Sequence, residues 1–150
     1  MFYRGIFIGE VHMKIRKKYR IAGAVILLLA VFFWIQNNWL TVTYYSCRDE
    51  KIPKEFEGYR ILQISDLHNK EFGKNNHKLI EKITELKPDM IVLTGDLVDS
   101  SHTDIEAAVS FAEQTAAISP TYYITGNHEK WLSDQDKTNL LKELENAGVE

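Results

Sequence analysis

Three short clusters in the sequence hold residue types that do chemistry: Asp66-Leu67-His68, Gly95-Asp96-Leu97-Val98-Asp99 and Gly126-Asn127-His128-Glu129. A hard oxygen donor beside an imidazole suits Mn, Fe or Zn better than Ca or Mg. Taken singly, each cluster has an ordinary explanation. A lone Asp66 or Asp99 reads as a helix or loop cap, and a lone His128 as a hydrogen-bonded loop residue. The spacing changes that reading. Asp66 precedes Asp96 by 30 residues and Asp96 precedes Asn127 by 31, each about one strand–helix unit. Each cluster follows a short apolar run, so all three fall at successive strand ends. In an open α/β sheet those ends share the carboxyl edge, where ligands bind. Acidic groups converging there repel one another unless a cation lies among them. A metal centre explains the convergence. His12, His77 and His102 lack such company and read as polar surface.

The elements that must position these clusters repeat one grammar of apolar strand, polar loop and amphipathic helix, the pattern of a parallel sheet. The first strand is Ile61, Leu62 and Ile64, a run expected to be buried on both faces. An extended backbone beyond it would turn Asp66 and His68 to one side. A helix follows near Asn75–Leu86, with Leu79, Ile80, Ile83 and Leu86 on one stripe and Pro88 ending it. The second strand is Met90–Thr94. Its helix opens on a capping box at Thr103–Glu106 and turns Ile105, Ala108, Val109, Ala112 and Ala116 inward. The third strand is Thr121–Thr125, and its helix starts at Ser133, shows Leu140, Leu141, Leu144 and Ala147, and stops at Gly148. Gly95 and Gly126 are expected to let the chain turn sharply as it leaves the sheet. The strands are apolar on both alternating faces, so the sheet calls for cover on both sides.

Composition narrows the partners. The chain has 150 residues, 45% of them apolar, and a net charge of -3. Residues 1–20 carry six Lys/Arg against one Glu, which leaves the remainder at -8. No basic face is available to bind nucleic acid. The single cysteine, Cys47, excludes an internal disulfide framework and a cysteine-rich zinc site. No glycine-rich phosphate loop or dinucleotide fingerprint occurs.

The basic stretch Lys14–Arg20 precedes an unbroken apolar run from Ile21 to Ile35. Extended to Leu40, the run gives a helix of ~30 Å, the thickness of the hydrocarbon core. Trp34 and Trp39 bracket Gln36, Asn37 and Asn38 as an interfacial belt would. A cleaved signal peptide is the rival reading, but bulky Phe32, Phe33 and Trp34 stand where small residues would be needed. The organisation expected is a basic cytoplasmic flank at 1–20, a transmembrane anchor at 21–40 and, at 41–150, the N-terminal part of an α/β domain on the extracytoplasmic side. Met13 is an alternative start to Met1. Thr41–Ser46 reads as an edge strand, and Asp49–Gly58 as a polar turn.

The three ordered motifs resemble the first three of the calcineurin-like metallophosphoesterase family, over roughly residues 58–150. With an anchor ahead of them they are similar to its bacterial membrane-anchored branch. The resemblance implies the first half of an αββα sandwich, truncated at the C-terminus, because the family's late histidine ligands, including a Gly-His-x-His element, do not occur before Glu150. It implies two divalent metal ions (Mn, Fe or Zn). Asp66 and His68 would hold one, Asp96 would bridge both and Asn127 would hold the second. His128 would stabilise the transition state or protonate the leaving oxygen, and Asp99 would orient His128. The implied activity is hydrolysis of a phosphate ester or pyrophosphate by metal-activated water. The substrate would be a small phosphoester or lipid-phosphate, including a lipid-linked or sugar-nucleotide phosphate. With four ligands the 150-residue chain alone is expected to be inactive. The alternatives are a non-catalytic, membrane-tethered metal- or phosphate-binding module and a plain interaction domain. Oligomeric state is left open.

Overall fold

A computed structural model describes residues 4–150, with side chains from Arg16 onward. Met1 and the side chains of His12 and Met13 lie outside the described residues, and with them the choice of start. The chain forms two compact units, Met1–Tyr44 and Tyr45–Glu150.

Among its described residues the first unit contains one helix, α1 (Arg4–Asn38), which takes in most of the basic flank and nearly all of the expected anchor. Its 23 residues from Arg16 to Asn38 are long and apolar enough to cross a membrane. Leu27, Leu28, Phe33 and Trp34 are all exposed on it. Apolar residues on every side of a helix suit a lipid environment rather than a single core-facing stripe. Thr41–Ser46, expected as an edge strand, is irregular. Its Thr, Val and Tyr content favours a pleated surface, but a strand exists only where a neighbour supplies ladder hydrogen bonds.

In the second unit the expected polar turn contains a 3-10 turn at Lys54–Phe56. The alternation then runs β1 (Ile61–Ile64), α2 (His77–Leu86), β2 (Met90–Leu93), α3 (Ile105–Ala116), β3 (Thr121–Tyr123), α4 (Asn127–Lys130) and α5 (Asp134–Asn146). The strands form a parallel sheet in the order β1-β2-β3, with Ile64 opposite Leu93 and Leu93 opposite Tyr123. The α/β reading with parallel strands therefore holds. After α5 the chain returns to the sheet: Glu150 N–H donates to Thr121 O (3.0 Å) and Tyr123 N–H to Glu150 O (2.7 Å), the pairing of a parallel neighbour to β3.

Local details differ from the sequence expectations for identifiable reasons. Asn75 and Asn76 are left-handed (φ 52° and 57°), so α2 starts only at His77. The cap of α3 lies one residue later than expected. Asp104 accepts from Ala107 N–H (3.0 Å), while the Thr103 hydroxyl is committed to Asp99 O (3.0 Å). Helix α5 is capped by Ser133, which accepts from Asp136 N–H, and Gly148 follows its end at φ +83°.

The core gathers on one face of the sheet, where Ile91, Leu93, Ile83, Phe111, Ala112, Leu140 and Leu144 are buried in one cluster. Phe111, with 1% of its surface exposed, was absent from the expected inner stripe of α3, yet it is the largest fully buried side chain described. Phe111→Ala is expected to cost about 3–5 kcal/mol of unfolding free energy, since it removes transfer energy and leaves a cavity. Urea denaturation of the detergent-solubilised protein measures it, and a loss under about 1 kcal/mol would contradict the central place given to Phe111. The opposite sheet face is open among the described residues: Ile61 is 62% and Ile124 63% exposed. The expectation that β1 is buried on both faces is corrected accordingly, because the described helices cover a single side.

Candidate metal centre

Beyond the strand ends the three loops continue to hydrogen-bond to one another. Thr94 N–H donates to Ile64 O (2.9 Å) and Ile124 N–H to Leu93 O (3.0 Å). The loop after β1 is then laid along the loop after β2 by Asp66 N–H to Gly95 O (3.2 Å), His68 N–H to Asp96 O (2.9 Å) and Asn69 N–H to Leu97 O (3.0 Å). These bonds hold an unusual backbone. Asp66, His68, Asn69 and Asp96 all have positive φ (55°, 50°, 57° and 51°). Each costs on the order of 1–3 kcal/mol for a residue with a Cβ, and such residues persist where the surroundings over-determine them. The extended backbone expected across Asp66–His68 is therefore replaced by left-handed turns, with Leu67 buried between them.

The side chains still converge. One donor atom each from Asp66, His68 and Asp96 lies within 4.8 Å of the others, and the same holds for His68, Asp99 and His128. His68 belongs to both groups. Its Nε2 is 3.9 Å from Asp66 Oδ1, and its ring meets that of His128 edge-on at 4.4 Å. His68 Nδ1 is buried and has no hydrogen-bond partner among the described residues. A buried imidazole nitrogen left unpaired is costly, and a bound cation would satisfy it. The donor set and this unpaired nitrogen fit a divalent metal.

Two glycines make the approach of the loops possible, each in its own way. Gly95 has φ +89°, a backbone only glycine adopts freely, and a Cβ on it would lie 2.6 Å from Gly126 Cα. Gly126 has φ -92°, so the expected freedom to turn is not its reason. A Cβ there would run into the Asp96 carboxylate, so Gly126 supplies space. Asp96 itself is only 7% exposed, and its Oδ1 accepts from His128 N–H at 2.8 Å. Asn127 opens the one-turn helix α4 and is exposed beside it.

Around His128 the geometry is richer than the motif suggested. Asp99 Oδ1 lies 3.8 Å from His128 Nδ1, while that nitrogen accepts from Ser100 N–H at 3.1 Å with Ser100 Oγ at 3.2 Å. Asp99 Oδ1 instead accepts from Ser101 N–H at 2.7 Å. That bond, aided by the field of His128, holds the Asp99 carboxyl below its ordinary pKa despite opposing desolvation. The Asp99 carboxylate is therefore fully charged above the usual carboxylate range, and the stabilisation from its bond to Ser101 N–H is lost as pH falls through the lowered value. The Trp131 ring tilts against that of His128 with centroids 5.0 Å apart, and Trp131 is 66% exposed.

Several contributors escaped the sequence reading. Asn69 ties the first two loops: its Oδ1 accepts from Asp99 N–H (2.8 Å) and Asp104 N–H (3.2 Å), and its Nδ2 donates to Asp104 O (2.6 Å). Glu129 is fully buried, and its carboxylate accepts from Asp96, Leu97, Val98 and Gly126 N–H. A signal for it did exist, since Gly126-x-x-Glu129 has the spacing of the reaching half of a capping box. The buried Tyr123 hydroxyl has no hydrogen-bond partner among the described residues. Burial first, then the negative fields of Glu129 and Asp96, push its pKa up beyond the ordinary tyrosine range. No sequence signal marks Ser100 or Tyr123.

A parallel sheet that brings Asp66, His68, Asp96, Asp99 and His128 from three strand ends into two overlapping groups at one edge forms a candidate divalent-metal centre. Residues 59–149 match the calcineurin-like phosphoesterase family, and the chain belongs to that family. It is 29% identical over 130 residues to an uncharacterized metallophosphoesterase of Campylobacter jejuni, covering 83% of this chain and 34% of that protein. It is 29% identical to a transmembrane protein with metallophosphoesterase domain of Danio rerio, covering 67% of this chain and 23% of that protein. Over 80 residues, 49% of this chain and 24% of the relative, it is 36% identical to the UDP-2,3-diacylglucosamine pyrophosphatase LpxG of Chlamydia muridarum. The chain thus spans about a third or less of the length of these relatives.

Proposed function

We propose that this chain carries the metal-binding part of a membrane-anchored, metal-dependent phosphoesterase. The observation that carries the reading is the convergence of donors from successive strand ends within 4.8 Å, in a chain of this family. Asp66 and His68 would hold one divalent ion (Mn, Fe or Zn), Asp96 would bridge, and Asn127 would serve the second. Such a pair of ions lowers the pKa of a water and neutralises charge on phosphoryl oxygens. The protein's own contribution is at His128. Because Ser100 N–H occupies Nδ1, the neutral imidazole carries its proton on Nε2 and would offer it as a hydrogen bond to a phosphoryl or leaving oxygen. Transfer of that proton would require the imidazolium, protonated on Nδ1 as well once Ser100 N–H gives way. Asp99, 3.8 Å away, would orient the ring and stabilise its protonated form. The relative named for UDP-2,3-diacylglucosamine supports a phosphate substrate with a sugar-nucleotide or lipid-linked leaving group.

The test is hydrolysis of bis-p-nitrophenyl phosphate by the full-length protein with Mn. Mn-dependent turnover is expected, abolished by a chelator and restored by metal. Tight Mn binding without turnover on this or pyrophosphate substrates would leave the non-catalytic binding module instead. The helix Arg16–Asn38 would anchor the protein as a single span, with the basic residues before it retained in the cytoplasm and the domain outside. Protease added to intact cells is then expected to remove the domain, and full protection would overturn this orientation.

A further inference from the structure

We propose that Glu129 is a positioning residue of the metal centre, holding Asp96 and the Gly126–His128 turn at working separation before any cation binds. The inference rests on the metal-centre reading above. Its carboxylate is fully buried and spans two loops. Oε2 accepts one bond from each loop, Asp96 N–H at 2.9 Å and Gly126 N–H at 2.7 Å. Oε1 accepts from Leu97 N–H at 2.7 Å and Val98 N–H at 3.2 Å. Four backbone donors around one carboxylate make an anion-binding nest formed from the chain itself. The nest explains why the backbone at Asp96 tolerates φ 51°: the left-handed turn aims three successive N–H groups at the carboxylate.

The consequence for the donors is direct. Asp96 is gripped at both ends, its N–H by Glu129 and its Oδ1 by His128 N–H. His128 and Asn127 ride on the same turn that Gly126 N–H ties to Glu129. One side chain therefore sets the spacing between the proposed bridging carboxylate and the proposed ligand of the second ion. A neutral amide of the same shape cannot do this. Glu129→Gln offers one oxygen, and its amide hydrogens face two of the N–H donors. Glu129→Asp keeps the charge but withdraws it by one methylene.

Two measurements on the full chain in detergent decide the matter. The first is amide exchange in metal-free wild type, where Asp96, Leu97, Val98 and Gly126 N–H are expected to be protected. Free exchange at these amides would overturn the inference without recourse to any variant. The second is Mn titration with the EPR spectrum of the bound ions. Glu129→Gln is expected to bind Mn at least 10-fold more weakly and to lose the spin-coupled signal of paired ions, while amides of Leu140 and Leu144 in α5 stay protected. Glu129→Asp is expected between the two, and it carries the comparison if Glu129→Gln also loses protection in α5. A folded Glu129→Gln with wild-type affinity and a coupled signal would overturn the proposal. If wild type binds no Mn, the metal-centre reading and this inference fall together. If wild type binds Mn and shows the expected exchange and EPR pattern but hydrolyses nothing, only the phosphoesterase reading falls.

Discussion

Asp96→Asn is expected to abolish phosphodiester hydrolysis and to lower the metal content of the full-length protein. Asp96 is the most buried of the proposed ligands and the one gripped at both backbone and side chain. One carboxylate oxygen already accepts from His128 N–H, so an amide there must either lose that bond or turn its nitrogen to the cation. Either outcome would remove a negative charge from between the two proposed ions. Loss of a partner in the outer shell of a metal typically costs about 10–100-fold in affinity, and loss of a bridging ligand should cost at least that. The comparison of metal per protein by atomic absorption with turnover in the same preparation decides it. A variant that retains both ions and a near-normal rate would show that Asp96 does not bridge.

The second large effect separates a proton donor from a ligand. His128→Ala is expected to lower turnover by roughly 10²–10⁴-fold, the usual worth of a general acid, with the metal content unchanged. The geometry makes the distinction necessary, because His128 lies within 4.8 Å of His68 and Asp99 in a group that could itself hold an ion. If His128 ligates, the variant loses metal as well as rate. If it donates a proton from Nε2, rate alone falls, and a substrate whose leaving group needs no proton, such as a p-nitrophenyl ester, suffers less than an alkyl ester. Equal losses on both substrates with full metal content would argue against proton donation and for stabilisation of the transition state by charge.

Much of this protein is legible locally. The apolar runs at Ile61–Ile64, Met90–Leu93 and Thr121–Tyr123 became parallel strands within two residues of their expected ends. Ser133 and Gly148 bracket the last helix as helix-capping chemistry requires. Asp66, His68, Asp96, Asp99 and His128 fall in two overlapping clusters because strand–helix units of similar length return each loop to one sheet edge. Where reading failed, the competing influence came from distant residues. The cap of α3 shifted because Asp99 recruited Thr103. Phe111 went unnoticed on a helix whose inner stripe was drawn from alanines and β-branched residues.

The amino-acid sequence by itself determined the alternation of strand and helix, the apolar length of the N-terminal helix and the identity of the donors, since each depends on patterns within a few residues. Only the tertiary structure decided how those donors are held. The left-handed backbone at Asp66, His68 and Asp96 is fixed by hydrogen bonds between separate loops, and the partners of Glu129 include N–H groups 31 to 33 residues away. Local preference disfavours such turns in residues with a Cβ, so no propensity could announce them. They exist because the sheet register brings Gly95 against Gly126 with no side chain between, close enough for one buried carboxylate to reach both loops.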